Sequence, residues 1–109
     1  MRVKLTNDRQ RLDFIRNYEA WGVWFFEPRL RINYYKCELP DGSEIIVEEQ
    51  IGAGICSPRV VQAVRYHLIA PASKFKLKGS SNEDMLRCLR RWTGTIDVLI
   101  SENGLSNAI

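Results

Sequence analysis

Histidine occurs once in this chain of 109 residues, at His67, and cysteine three times, at Cys37, Cys56 and Cys88. One imidazole leaves acid–base chemistry short of its commonest side chain. An odd cysteine set without short spacings is unlike the even disulfide framework of a small secreted domain, and three free, buried thiols in a reducing cytoplasm are expected instead. The opening residues Met1 to Thr6 carry no signal-peptide apolar core, and no apolar run approaches the ~20 residues of a membrane-spanning helix. A glycine-rich phosphate loop is also missing, since Gly52-Ala53-Gly54 lacks the lysine and the strand-to-helix setting such loops require. The net charge is only +3. That is too weak for a strong electrostatic polymer binder and of the wrong sign for a nucleic-acid mimic.

The remaining ligand-type residues suggest two chemistries. Cys37, Cys56, His67 and Cys88 total four zinc ligands, yet they are separated by 19, 11 and 21 positions. Structural zinc sites usually draw pairs from tight knuckles with about two to four residues between the ligands. A Cys56–His67 nucleophile and base pair has no local support, and a histidine inside Tyr66-His67-Leu68-Ile69 reads as a half-buried strand residue. The paired acids Glu48-Glu49 and Glu83-Asp84 are neighbours, and neighbours in a strand face opposite ways. No catalytic residues, no metal and no cofactor are therefore assigned.

What is present is a folded domain, with 45% hydrophobic and 27% charged residues. Thr6, Asn7 and Asp8 offer helix caps. Leu12, Ile15 and Tyr18, with Phe14 and Trp21, recur at helical spacing, Arg9, Asp13 and Arg16 are placed to pair along one side, and Gly22 ends the element, predicting a helix over 7–20. Val23 to Phe26 is an aromatic, β-branched edge strand interrupted by Pro28. Leu30, Ile32 and Tyr34 alternate with polar residues before the phase flips to Tyr35, Cys37 and Leu39, implying either a bulge near Tyr34-Tyr35 or cover on both faces. Pro40-Asp41-Gly42 is a turn, so residues 30–49 form a hairpin. Residues 50–58 leave the sheet; Arg59 to Ala70 carries both helical and strand signals and is read as strand from Val64 to Ile69. Lys74, Lys76 and Lys78 alternate with Phe75 and Leu77 in an extended piece. Ser80 and Glu83 have the form of a capping box opening a helix over 81–93, and Ile96 to Ile100 reads as a last short strand. Clustered strands between two helices define the α+β class: an antiparallel sheet of four or five strands with both helices packed on one face. Residues 1–100 are expected to form one domain and 101–109 a flexible tail.

Charge is unevenly spread. Residues 37–57 contain five acids and no base, while 1–36 and 58–92 contain eight bases each. Either the acids of the hairpin are neutralised internally, or the acidic lobe and basic body meet different partners. Trp21, Trp24, Phe25 and Phe26 are too dense to all point inward, so part of the cluster is expected on the surface, where aromatic and arginine side chains dominate protein interfaces.

The strings TNDRQRLDFIRNYEAW (6–21), YYKCELPDGSEIIVE (34–48) and YHLIAP (66–71) resemble a group of small uncharacterised proteins of bacterial mobile elements and phages, over about residues 6–92. The resemblance implies a context in which small domains act as stoichiometric inhibitors of host defence enzymes, anti-CRISPR proteins among them. It brings no catalytic residues. The resulting expectation is a cytoplasmic, non-enzymatic module that binds a larger host protein, such as a CRISPR effector nuclease. Its contact residues are Trp24, Phe26, Arg29 and Arg31 on an aromatic–arginine surface, with Asp41, Glu44, Glu48 and Glu49 on an acidic hairpin. The alternative is a single-stranded nucleic-acid binder using a basic strand face of Lys74, Lys76 and Lys78.

Overall fold

The computed structural model describes residues 1–52, 60–71 and 77–100. In chain order the elements are β1 (Arg2–Lys4), α1 (Asp8–Arg16), a 3-10 turn (Tyr18–Trp21), β2 (Val23–Glu27), β3 (Ile32–Glu38), β4 (Glu44–Ile51), β5 (Val61–Ile69), α2 (Asn82–Leu89), β6 (Thr95–Asp97) and β7 (Leu99–Ile100). The main sheet is antiparallel with order β2-β3-β4-β5, and β7 extends it by pairing with the end of β3. β1 and β6 form a separate two-stranded ribbon. This is the α+β architecture that the clustering of strands between helices predicts.

The first helix starts where Asn7 accepts a hydrogen bond from the Gln10 amide at 2.9 Å. It is shorter than the expected 7–20, because after Asn17 the chain tightens into the 3-10 turn. Residues three apart eclipse in that geometry, so Tyr18 and Trp21 both face the core. Gly22, at φ 79°, then lets the chain turn into β2. The pair along this helix is Asp8–Arg11 at 2.9 Å; Arg11 is itself buried and reaches on to the Trp92 carbonyl.

The second helix is capped one residue later than expected. Ser81 is the N-cap and Asp84 its reciprocal partner. Ser80 is committed to the sheet, its amide donating to the Tyr66 carbonyl and its hydroxyl accepting from the Leu68 amide. Glu83 therefore has no capping role and instead meets Arg90 at 3.0 Å. The helix stops at Leu89, short of the expected residue 93.

The central hairpin closes as Pro40-Asp41-Gly42 implies, with Gly42 at φ 88° and the Asp41 carboxylate accepting from the Ser43 amide. The strand reading of the ambiguous segment also holds, and β5 begins as early as Val61. Residues 101–109 and most of 50–58, with Cys56, lie outside the described residues.

Strand alternation sends Asn33, Tyr35 and Cys37, with Ile45, Val47 and Glu49, to one face of the sheet. There they meet Phe14, Ile15, Tyr18, Trp21, Met85, Cys88 and Leu89, with Leu5 and Val98 closing the ends. Full burial of each large apolar side chain contributes roughly 1.5–3 kcal/mol. Burial pushes the Cys37 thiol well above its ordinary range and raises that of Cys88, making both poor nucleophiles. The opposite, outer face carries Ile32, Tyr34, Lys36, Ile46, Glu48 and His67.

An aromatic groove on the outer face of the sheet

The phase change expected near Tyr34-Tyr35 has its cause on the neighbouring strand. Val23 pairs with Tyr35 and Phe25 with Tyr34, so Trp24 is an extra residue in β2. A regular strand would send Trp24 and Phe25 to opposite faces; a bulge aims consecutive side chains to one side. Both join the outer face, where the Phe25 and Tyr34 ring centroids are 6.1 Å apart. Together with Leu77 these rings line an open, mostly apolar groove of about 380 Å³. β3 itself stays regular, with Ile32, Asn33 and Tyr35 buried, so both of its faces are covered at this point.

The groove lies at the rim of the sheet, and among the described residues no strand pairs with the outer edge of β2. Phe25 and Phe26 are 53% and 46% exposed, and Leu30 in the following turn is 59% exposed. Phe25, opposite Tyr34, and Phe26, opposite Asn33, leave β2 on opposite faces, so exposed rings flank its edge on both sides; clustered apolar exposure marks interaction sites. Arg29 and Arg31 are exposed in the same β2–β3 turn. Of the dense aromatic cluster, only Trp21 is fully buried, which agrees with the expected division between core and surface.

The electrostatics of the groove mix a seated cation with carboxylates. Lys36 Nζ stands 4.5 Å from the Trp24 ring centroid and 3.3 Å from Glu44 Oε2. Burial first, then the charges of Glu48 and Glu27, raise the Tyr34 phenol above its ordinary range. Two carboxylates therefore act on the same ring from either side.

The acidic hairpin does not form the free contact surface expected of it. Asp41 pairs with Arg91 at 2.5 Å, Glu44 with Lys36, and Glu48 with His67 at 3.1 Å. Glu49 is 0% exposed and must be withdrawn as a contact residue. It shares strand parity with Ile45 and Val47, so it points into the core, where Tyr18, Tyr35 and Asn33 donate to it at 2.6, 3.1 and 3.3 Å. Lys78 is exposed beside Leu77; Lys74 and Lys76 lie outside the described residues.

His67 is 1% exposed and both ring nitrogens are engaged. Nδ1 accepts from the Gly79 amide at 2.9 Å, which leaves Nε2 to donate to Glu48 Oε1. Cys37 faces the helices while His67 faces away, so the sheet separates these two residues of the four-ligand set. Among the described residues no group of three His, Cys, Asp or Glu side chains is arranged to hold a metal ion. None of their helices is long and apolar enough to cross a membrane.

Sequence reasoning picked out Trp24 and Phe26 but missed Phe25, Tyr34 and Leu77 as one surface. The available signal was the change of apolar phase at Tyr34-Tyr35, which in a regular β3 means that both faces are covered there. Comparisons of the chain with protein-family models, curated proteins and solved structures find no match.

Proposed function

We propose that this chain is a non-enzymatic protein-binding module that docks through the aromatic edge formed by Trp24, Phe25 and Phe26. The observation that carries this reading is the β2 bulge, which sets Trp24 and Phe25 beside Tyr34 on one face of a strand whose outer edge no strand pairs among the described residues. Aromatic side chains concentrated at the centre of a patch supply most of the binding energy at protein interfaces. A strand edge left open among the described residues adds backbone donors and acceptors to which an extended segment of a partner can pair. The more specific form of the proposal is inhibition of a host defence nuclease, a CRISPR effector among them, and it is supported by the resemblance to small phage and mobile-element proteins. The internal pairing of Asp41, Glu44 and Glu48 moves the weight of that proposal from the acidic hairpin to the aromatic edge.

A nucleic-acid reading keeps one specific support, since rings that stack bases lie near the exposed Lys78. Glu27 and Glu48 beside Tyr34 oppose a polyanion at those rings.

The experiment is affinity capture on immobilised protein, comparing the wild type with the Phe25→Ser, Phe26→Ser double variant, then binding of the purified captured protein at defined stoichiometry. The proposal expects a captured protein that the double variant loses. Equal capture by both proteins contradicts it. So does retention of single-stranded DNA or RNA at low salt that weakens steeply as salt rises.

A further inference from the structure

We propose that the β2 edge receives an extended acidic segment of a protein partner, its carboxylates held by Arg29 and Arg31 in the turn after β2. This rests on the docking reading above and names the chemistry of the segment that docks.

The turn over residues 28–31 is anchored at each of its last three residues. The Arg29 amide donates to Glu27 Oε1 at 2.9 Å, the Gln50 side chain donates to the Leu30 carbonyl at 2.6 Å, and the Ile51 amide donates to the Arg31 carbonyl at 2.9 Å. With the main chain fixed by β2 and β4, the side chains of Arg29, Leu30 and Arg31 are all exposed. Among the described residues, the arginines that pair with carboxylates are Arg2, Arg11, Arg87, Arg90 and Arg91. Arg29 and Arg31 are in no such pair. Glu27, the nearest acid along the chain, meets the Arg29 backbone and not a guanidinium.

Arg31 carries a second observation. At φ 52° it is the one non-glycine residue at positive φ among the described residues. That conformation suits glycine or asparagine, so an arginine is held there against the local preference. Its side chain makes no ion pair or hydrogen bond among the described residues that would repay the strain within the fold. A docked carboxylate would, because the guanidinium fork binds carboxylates through two parallel hydrogen bonds.

The shape of the edge selects a peptide. An added strand sends alternate side chains to opposite faces, and Phe25 and Phe26 offer a ring on each face of β2. A peptide can place acids at the turn and apolar side chains on the rings. A nucleic acid carries a charge at every phosphate and brings no backbone amides to pair with β2.

The test uses the full chain, isotope-labelled, and two capped heptapeptides of alternating valine and threonine. One has glutamate at both ends, the other glutamine; a short oligothymidylate is the third probe. The glutamate peptide is expected to shift the amides of residues 23–31 and to bind about fivefold tighter than the glutamine peptide, the upper value of an exposed ion pair. That preference should fade as salt rises. Arg31→Gly is expected to reduce the preference and keep the fold, since glycine takes this φ without strain, and adding Arg29→Gln should erase it. Equal affinity for the two peptides, no response to either, or a preference that survives both substitutions overturns the assignment. So does oligothymidylate binding that the double variant loses, or pairing of β2 with a second copy, seen as concentration-dependent shifts at 23–27 without peptide. If the Phe25→Ser, Phe26→Ser variant loses a captured partner that the arginine double variant keeps, the acidic assignment falls and the docking reading stands.

Discussion

Tyr18 donates its phenolic hydrogen across 2.6 Å to the Glu49 carboxylate, joining the 3-10 turn after α1 to the middle of the sheet. Both residues are buried, and Tyr35 and Asn33 approach the other carboxylate oxygen. Removing the Tyr18 hydroxyl takes one donor from a buried charged acceptor, which costs about 1–3 kcal/mol. Tyr18→Phe should therefore lower the unfolding free energy by that amount, seen as a lower urea midpoint at unchanged slope. A change inside the error of the extrapolation would show that the bond adds nothing to the fold.

The same contact predicts an alkaline limit. Burial first, then the hydrogen bond and charge of Glu49, hold the Tyr18 pKa well above its usual 10.0. The folded state therefore keeps its proton where the unfolded chain has lost it. The contribution is fully present below pH 10 and is lost as pH rises above it. Tyr34 and Tyr66 are shifted the same way, chiefly by burial. Tyrosinate absorbance should rise together with loss of the circular-dichroism signal, above the ordinary phenol range. Ionisation of all four tyrosines near pH 10 in a folded protein would contradict this.

At the acid end the informative pair is Asp41 and Arg91. Partial burial works to raise the Asp41 pKa, but donors from Ser43 and the Arg91 guanidinium outweigh it and hold it below 3.8. A depressed carboxyl stabilises the fold above its unfolded pKa, and that stability fades as pH falls through the folded value. Arg91→Ala should cost about 0.2–1 kcal/mol at neutral pH, the range of partly exposed ion pairs. The difference from wild type should shrink below about pH 4, where Asp41 is protonated in the unfolded chain. A difference that is constant down to pH 2 would assign the effect of Arg91 to packing.

The capping shift is equally open to measurement. Ser81→Ala removes the acceptor of the Asp84 amide and should cost about 1 kcal/mol. Glu83→Gln should leave unfolding nearly unchanged, because Glu83 only meets Arg90 on the surface. The reverse order of effects would restore Ser80 and Glu83 as the cap.

Which parts of this were legible in the sequence follows from how local each signal is. The Pro40-Asp41-Gly42 turn, the two caps within one residue, and the strand character of 64–69 depend on neighbours along the chain, and they could be read. The ribbon of β1 and β6 pairs residues more than ninety positions apart, and three-residue strands carry no periodicity to announce it. Glu49 was legible in principle. It shares parity with Ile45 and Val47, but grouping it with the acids around it by charge hid which way it points. The groove depends on one extra residue in β2, and a bulge is settled by the register with β3 rather than by Trp24 itself. The internal neutralisation of the hairpin was one of two readings, and Arg91 and Lys36 supply it for Asp41 and Glu44, while Glu48 accepts a hydrogen bond from the His67 ring.

The central claim is that the β2 edge is where a partner sits, and hydrogen exchange on the purified complex tests it most directly. With the captured partner bound, the amides of residues 23–27 should slow, while those around the 40–43 turn keep their free-protein rates. Protection confined to the hairpin turn or to β5, with 23–27 unchanged, would contradict the account.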